Sequence, residues 1–175
     1  MKKLCVLLLL LCLLTGCASP QSQPEYKPYI GAVVETYCPE HQASTEIAVK
    51  DGQVYCAYLE DVDGKEQYVL DVFENNTWQR VETVTMSVYD HPLFLNRLSY
   101  DPLKETVGKH TLYTDEKYTL YLNEQGSNVH YELFGGGEGL RRVATDRQNT
   151  VAVLTSDMIN IDGVPMAKLY IYTLE

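Results

Sequence analysis

The chain has 175 residues, of which 24 are acidic and 14 basic, and its formal net charge is −10. That length is sufficient for one domain with a real hydrophobic core. The acidic balance argues against nucleic acid as a partner, because phosphate backbones are bound by basic patches.

The first residues form a short basic segment followed by an apolar one. Lys2 and Lys3 precede an unbroken apolar run from Leu4 to Leu14. This layout is typical of a secretory signal peptide. A helix that stays in the membrane needs about 20 apolar residues, so the run is too short to remain as a span. We therefore predict a cleaved leader over residues 1–16.

The residues that follow the apolar run read Leu14-Thr15-Gly16-Cys17. They resemble the lipobox of bacterial lipoproteins, in which an apolar residue and two small residues precede a cysteine. The resemblance implies cleavage after Gly16, diacylglycerol on the Cys17 thiol and acylation of the new amino terminus. Two or more acyl chains give stable anchoring. It therefore implies an extracytoplasmic protein anchored to the membrane by lipid, and Ala18 would permit the outer membrane in a Gram-negative host.

Residues 17–28 are polar and carry three prolines, Pro20, Pro24 and Pro28. Such a segment is extended and cannot contribute to a core, so we predict a tether of roughly 30 Å at about 3 Å per residue. A single domain is predicted over residues 29–175.

From Tyr29 onward, short strands alternate with turn signals, and no stretch shows sustained helical periodicity. The predicted turns are Asp51-Gly52, Asp63-Gly64, Asn75-Asn76 and Asp162-Gly163. Asp-Gly between apolar runs is a strong hairpin signal. Alternation is clearest where Tyr131 and Leu133 point one way while His130 and Glu132 point the other. The predicted fold class is therefore all-β, and the segment 91–104 is the one place where a short helix is expected.

Three stretches share the order strand, acidic turn, apolar strand, glycine turn and aromatic-rich strand: Ile47 to Glu74, Leu112 to Phe134 and Val143 to Leu174. The first of them, taken together with the predicted strand from Trp78 to Val84, resembles one blade of a β-propeller, because the four strands from Thr45 to Val84 use about forty residues. The chain holds about three blades, whereas closed propellers have about four to eight. We predict antiparallel hairpin repeats in an open or partial β-propeller-like stack, with a small β-barrel or sandwich as the alternative.

Two of the five cysteines remain after the leader and the anchor are set aside. Cys38 and Cys56 form an even pair in an exported domain, which makes them a candidate disulfide. The bond would pin the amino-terminal segment onto the strand that contains Cys56.

Three motifs fall short of a ligand site. Cys38-Pro39-Glu40-His41 offers half a zinc site without a second closely spaced pair. Asp61-Val62-Asp63-Gly64 resembles the start of a calcium loop but lacks its third acid and terminal glutamate. The 135–139 glycine run lacks the Lys and Ser/Thr of a phosphate loop. With no nucleophile signature either, we assign no metal, cofactor or catalytic residue.

Tyrosine is unusually frequent, with fourteen residues against three Phe and one Trp. Half-buried strands favour tyrosine, because its ring packs while its hydroxyl meets water. A sharper interpretation is an aromatic platform for sugars or peptides. The candidate ligand-facing aromatics are Tyr55, Tyr58, Trp78, Tyr118 and Tyr121.

The anchor, the tether, the tyrosine-rich strands and the lack of a catalytic signature favour a non-catalytic envelope module that binds a protein, peptide or glycan. Glycan binding requires the named aromatics to lie on an exposed face. A structural accessory subunit of an envelope assembly is an alternative, and it predicts an unpaired sheet edge or a large apolar patch. A hydrolase of envelope or dietary polymers is a further alternative, and it predicts a cleft with two carboxylates.

Overall fold

The computed structural model describes residues 22–39, 44–95, 97–98, 103–135 and 139–175. These residues form thirteen strands and one short 3-10 turn, and none of them is in an α-helix. The strands are β1 (Glu25–Pro28), β2 (Ala32–Pro39), β3 (Glu46–Lys50), β4 (Gln53–Val62), β5 (Lys65–Glu74), β6 (Thr77–Val84), β7 (Lys104–Val107), β8 (His110–Thr114), β9 (Leu120–Glu124), β10 (Val129–Phe134), β11 (Leu140–Thr145), β12 (Thr150–Ile161) and β13 (Val164–Thr173). The predicted all-β class is confirmed.

The strands form three sheets, and sequential strands pair as antiparallel meanders. Sheet A has the order β1-β10-β9-β8-β7, sheet B has β11-β12-β13-β2, and sheet C has β3-β4-β5-β6. The pairing of β1 with β10 is parallel. None of the sheets closes into a barrel within the described residues. The amino-terminal strands β1 and β2 each occupy an outer edge, of sheets A and B respectively.

The predicted turns are confirmed by their backbone geometry. Asp51, Asp63 and Asp162 have φ values of 52°, 55° and 51°, and each is followed by a glycine that also has a positive φ. Positive φ at both central residues defines the type I′ turn, whose twist matches that of the flanking strands. These turns join β3 to β4, β4 to β5 and β12 to β13.

Sheet B is buried on both faces and lies between the other two sheets. On one face, Ala152 and Leu154 belong to a core cluster with residues of sheet C such as Ile47. On the other face, Val151 and Val153 pack in a cluster with Leu112 and other residues of sheet A. This two-sided burial explains the continuous apolar run of β12. The result is an open stack of three meander sheets.

Two segments can be compared with what the sequence predicts. Glu25–Pro28 forms the strand β1, so regular structure extends four residues into the predicted tether. In the segment expected to hold a helix, residues 92–95 form turns that follow the 3-10 turn Val88–Asp90, and residues 96 and 99–102 lie outside the described residues. Among the described residues there is no helix long and apolar enough to span a membrane. The predicted leader and Cys17 lie outside the described residues.

Candidate functional site

Four rings collect on the outward side of sheet A. In β8 and β9, Leu112 and Leu122 point into the core, so the residues next to them point outward. Tyr113 and Tyr121 lie opposite each other in the register of these strands. Tyr26 of β1 lies opposite His130 of β10. We call Tyr26, Tyr113, Tyr121 and His130 the aromatic face.

The rings of the aromatic face contact one another directly. Tyr113 and Tyr121 stack with their centroids 5.4 Å apart. Tyr26 lies 5.2 Å from both Tyr121 and His130, measured between ring centroids. A hydrogen bond of 2.7 Å joins the Tyr113 hydroxyl to Nδ1 of His130. Contacts among all four rings fix their positions before any ligand is present.

The face combines apolar ring surface with protonated hydroxyls. Burial, followed by the nearby Tyr26 hydroxyl, raises the pKa of Tyr113, and burial also raises the pKa of Tyr121. Both hydroxyls therefore keep their protons at neutral pH. Tyr26 is the open member, with 58% of its surface exposed. The arrangement can stack on an apolar ligand surface while donating hydrogen bonds around it.

The five aromatics predicted to face a ligand are not gathered at one place. Tyr121 belongs to the aromatic face, and Tyr118 is exposed in the loop between β8 and β9. Tyr55 is half-buried beside the core of sheet C. Trp78 is half-buried as well: its ring packs on Phe73, and its indole N–H donates to the Tyr37 carbonyl at 2.6 Å.

Tyr58 is a wrong prediction, because it lies in the core with 7% of its surface exposed. Its hydroxyl donates to Oδ2 of the buried Asp71 at 2.9 Å. Arg80 donates from Nε to the other Asp71 oxygen at 2.6 Å and from Nη2 to Glu60 at 2.8 Å. Tyr58 is thus committed to satisfying a buried carboxylate, which a sequence pattern of alternating tyrosines does not reveal.

The two cysteines of the candidate disulfide lie side by side. Cys38 in β2 and Cys56 in β4 are both fully buried, and both are free thiols here. Burial, with a smaller effect of the adjacent Cys38 thiol, raises the pKa of Cys56 well above its usual value. The two thiols lie at the contact between sheets B and C, where a disulfide would join β2 to β4.

The remaining sequence motifs lie partly within the described residues. Oδ1 of Asp61 accepts the Gly64 N–H at 2.7 Å, as expected for the turn that closes β4 and β5. His41 and residues 136–138 of the glycine run lie outside the described residues. Within the described ranges, no three His, Cys, Asp or Glu side chains are close enough together to hold a metal ion.

No protein-family model matches the chain, and no curated protein or solved structure matches it. What the aromatic face binds is therefore inferred from its own chemistry. Three of its members, Tyr26, Tyr113 and His130, were not among the residues singled out from the sequence. The alternation around His130 did place that residue on the outward side, but the pairing of β1 with β10 carries no local signal.

Proposed function

We propose that this protein is a lipid-anchored lipoprotein of the bacterial cell envelope whose β domain is a non-catalytic module that binds glycans at the aromatic face. The observation that carries the proposal is the outward cluster of Tyr26, Tyr113, Tyr121 and His130. Sugars present an apolar C–H face ringed by hydroxyls. A patch of aromatic rings with protonated hydroxyls is complementary to that surface.

The surroundings of the face support the same ligand class. Glu132 is exposed and lies opposite Tyr121 in the register of β10 and β9. Its carboxylate can accept hydrogen bonds from sugar hydroxyls. Tyr26 is only a short tether away from Cys17, which at about 3 Å per residue keeps the face within roughly 30 Å of the bilayer. Envelope polysaccharides are within that reach.

Thermal unfolding of the full chain in detergent, with cell-wall fragments and a panel of neutral glycans, tests the proposal. A ligand at 100 times its Kd is expected to stabilise the fold by about 2.7 kcal/mol. Tyr26→Ala should abolish that shift, because it removes the exposed ring without opening the core. Val81→Ala is the control, since Val81 is also an exposed apolar residue but lies on β6 of sheet C, outside the aromatic face. Equal glycan shifts in both variants, or no shift with any glycan, would refute glycan binding at this face.

The anchor is tested separately by metabolic labelling with palmitate. The wild-type chain is expected to incorporate label and to sediment with membranes, because the proposed modification attaches acyl chains at Cys17. Cys17→Ala should lose both properties. Unlabelled wild-type protein recovered from the soluble fraction would contradict the lipoprotein assignment.

A second candidate, docking to a protein subunit of an envelope assembly, is favoured by the far end of the β12–β13 hairpin. Residues 156–165 are all exposed there, beyond the last β2 partner at Met166. The exposed apolar side chains are Met158, Ile159, Ile161 and Val164. Among the described strands, none other covers this apolar tip, and such a tip suits a protein contact. Charge substitutions at Ile159 and Ile161 should then disrupt co-purification of a partner while leaving glycan binding intact.

A further inference from the structure

A cavity of about 280 Å³ opens between β3 of sheet C and β11 of sheet B, beside residues 92–93 and 97–98. Four basic side chains line it: Lys50, Arg97, Arg142 and Arg147. The acidic lining residues are Glu46, Asp51 and Asp146. This is a local excess of positive charge in a chain whose net charge is −10. The cavity therefore favours an anion although the chain as a whole repels one.

One ion pair is built into the wall of the cavity. The Glu46 side chain is only 2% exposed, and it accepts hydrogen bonds from both Nε and Nη2 of Arg142 at 3.1 Å each. This bidentate geometry is the strong form of a guanidinium–carboxylate contact. Arg142 thus supplies a hydrogen bond to each oxygen of the Glu46 carboxylate.

A second guanidinium lies beside the same carboxylate. Nη1 of Arg97 is 3.7 Å from Oε1 of Glu46, which is longer than a good hydrogen bond. Its Cζ atom lies 4.1 Å above the ring of Tyr89, a cation–π contact that holds the group in place. Because one carboxylate serves two guanidiniums, Arg97 contributes a positive charge that Glu46 does not neutralise.

Two of the other charged groups that line the cavity have partners of their own. Asp146 is occupied by backbone donors: it accepts N–H groups from Gly52, Gln148, Asn149 and Thr150. Arg147 pairs with Glu105 at 3.2 Å. Lys50 forms no ion pair with any described residue, and Asp51 lies at the adjoining exposed turn. The fork of Arg97 is therefore the best-placed donor for an incoming anion.

We propose that this cavity binds a ligand through a single carboxylate, with Arg97 as its anchoring residue. The planar guanidinium matches a carboxylate in a two-point contact. The lining also carries Glu46, Asp51 and Asp146, so a doubly charged phosphate is repelled there more strongly than a singly charged carboxylate. The carboxylate could be the carboxyl terminus of a peptide or the uronate of an acidic sugar. This inference is independent of the aromatic face, since it involves different sheets and a different ligand group.

Calorimetric titration of the full chain in detergent with three small probes tests the inference. The probes are N-acetyl-alanyl-alanine, sodium glucuronate and inorganic phosphate. At least one carboxylate probe is expected to saturate the protein below about 10 mM, and phosphate is expected not to compete with it. Binding of the peptide alone assigns a peptide carboxyl terminus, and binding of glucuronate alone assigns an acidic sugar. The amide of the peptide should not bind in either case.

Variants locate the site. Arg97→Gln should weaken carboxylate binding at least about tenfold, since it removes the charge and the fork while Glu46 keeps Arg142. Arg141→Gln is the matched control, because Arg141 is the neighbour of Arg142 in β11 but does not line the cavity. If Arg97→Gln fails to fold, Arg97→Lys decides: weakened binding supports the inference and unchanged binding overturns it. The inference is also overturned if no carboxylate saturates, if phosphate binds as tightly, or if Arg97→Gln binds like the wild type.

Discussion

At the scale of single residues, the carboxylate of Asp71 is buried in sheet C and must be satisfied by neighbouring donors. It depends on Tyr58 and Arg80 for its hydrogen bonds. We expect Arg80→Ala to lower the free energy of unfolding by about 2 kcal/mol, less than the 3–5 kcal/mol typical of a fully buried pair, because solvent screens the half-exposed Arg80. Urea denaturation at pH 7 measures the loss.

The control for Arg80→Ala is a substitution that breaks a solvent-exposed ion pair. Lys27 and Glu25 lie 3.1 Å apart on β1, with side chains 47% and 55% exposed. Lys27→Ala should change the free energy of unfolding by less than about 0.5 kcal/mol. Similar losses in the two variants would show that burial of Asp71 is not what makes the Arg80 contact important.

The raised pKa of Tyr58 predicts how the free energy of unfolding depends on pH in the alkaline range. Burial, and then the hydrogen bond to Asp71, raise its pKa above the usual 10.0. The proton is held more tightly in the fold than in the unfolded chain, so the contribution of Tyr58 is complete below pH 10 and is lost as the pH rises towards the folded pKa.

Tyr58→Phe should therefore reduce the loss of unfolding free energy as the pH rises above about 10. The variant is expected to lose about 1 kcal/mol at pH 7 with the hydrogen bond. Between about pH 10 and 12 the wild type should lose stability faster than the variant by up to about 1.4 kcal/mol per pH unit. Urea midpoints measured across that range give the two slopes. Parallel slopes would contradict the raised pKa.

At the scale of elements, substitutions in two glycine turns distinguish the free-energy cost of an unfavourable backbone conformation from that of a steric clash. Gly64 and Gly108 both have positive φ, 75° and 57°. A Cβ on Gly64 would meet nothing within 4 Å, whereas one on Gly108 would lie 2.5 Å from the Gln148 carbonyl oxygen. Gly64→Ala should cost about 1 kcal/mol. Gly108→Ala should cost clearly more by urea denaturation, because the backbone before β12 must shift. A smaller loss for Gly108→Ala would contradict the close approach.

The thiols of β2 and β4 make a prediction about sheet pairing. If the domain is exported to an oxidising compartment, Cys38 and Cys56 should form a disulfide that stabilises the fold by about 3 kcal/mol over the reduced form. Alkylation of unfolded protein isolated without reductant counts the free thiols, and urea denaturation with and without reductant gives the energy. The double variant Cys38→Ala/Cys56→Ala should not respond to reductant. Two alkylated thiols in wild-type protein from an oxidising compartment would refute the bond.

At the scale of the whole molecule, the predictable part of the fold is local. Asp-Gly turns and period-two alternation are local signals: the turns located hairpins of sheets B and C, and the alternation located one strand of sheet A. The association of β2 with β13, and of β1 with β10, joins residues more than a hundred positions apart. No turn chemistry encodes such pairs, so the amino-terminal strands could not be assigned to sheets from the sequence. For the same reason, Tyr26 was not among the aromatics predicted from the sequence to face a ligand.

The candidate sites were only partly predictable for the same reason. Tyr121 was singled out by residue type, but its neighbours Tyr26, Tyr113 and His130 come from three other strands. Tyr58 was selected by the same criterion and is buried, since composition does not tell which side of a strand faces the core. Net charge was misleading at the Arg97 cavity, because a sum over the chain hides a local excess of the opposite sign.

The pairing of β2 with β13 predicts that the fold requires its amino-terminal strands. β2 pairs with β13 over eight positions and places the buried Cys38 in the core shared by sheets B and C. Without residues 22–39, the β13 edge would be unpaired and its apolar neighbours exposed to water. Residues 44–175 expressed alone should therefore aggregate or lose their cooperative thermal transition, whereas residues 22–175 should keep it. Calorimetry and size-exclusion chromatography of both proteins decide the matter. A monomer of residues 44–175 that unfolds cooperatively at the temperature of the longer protein would show that sheet B closes without β2.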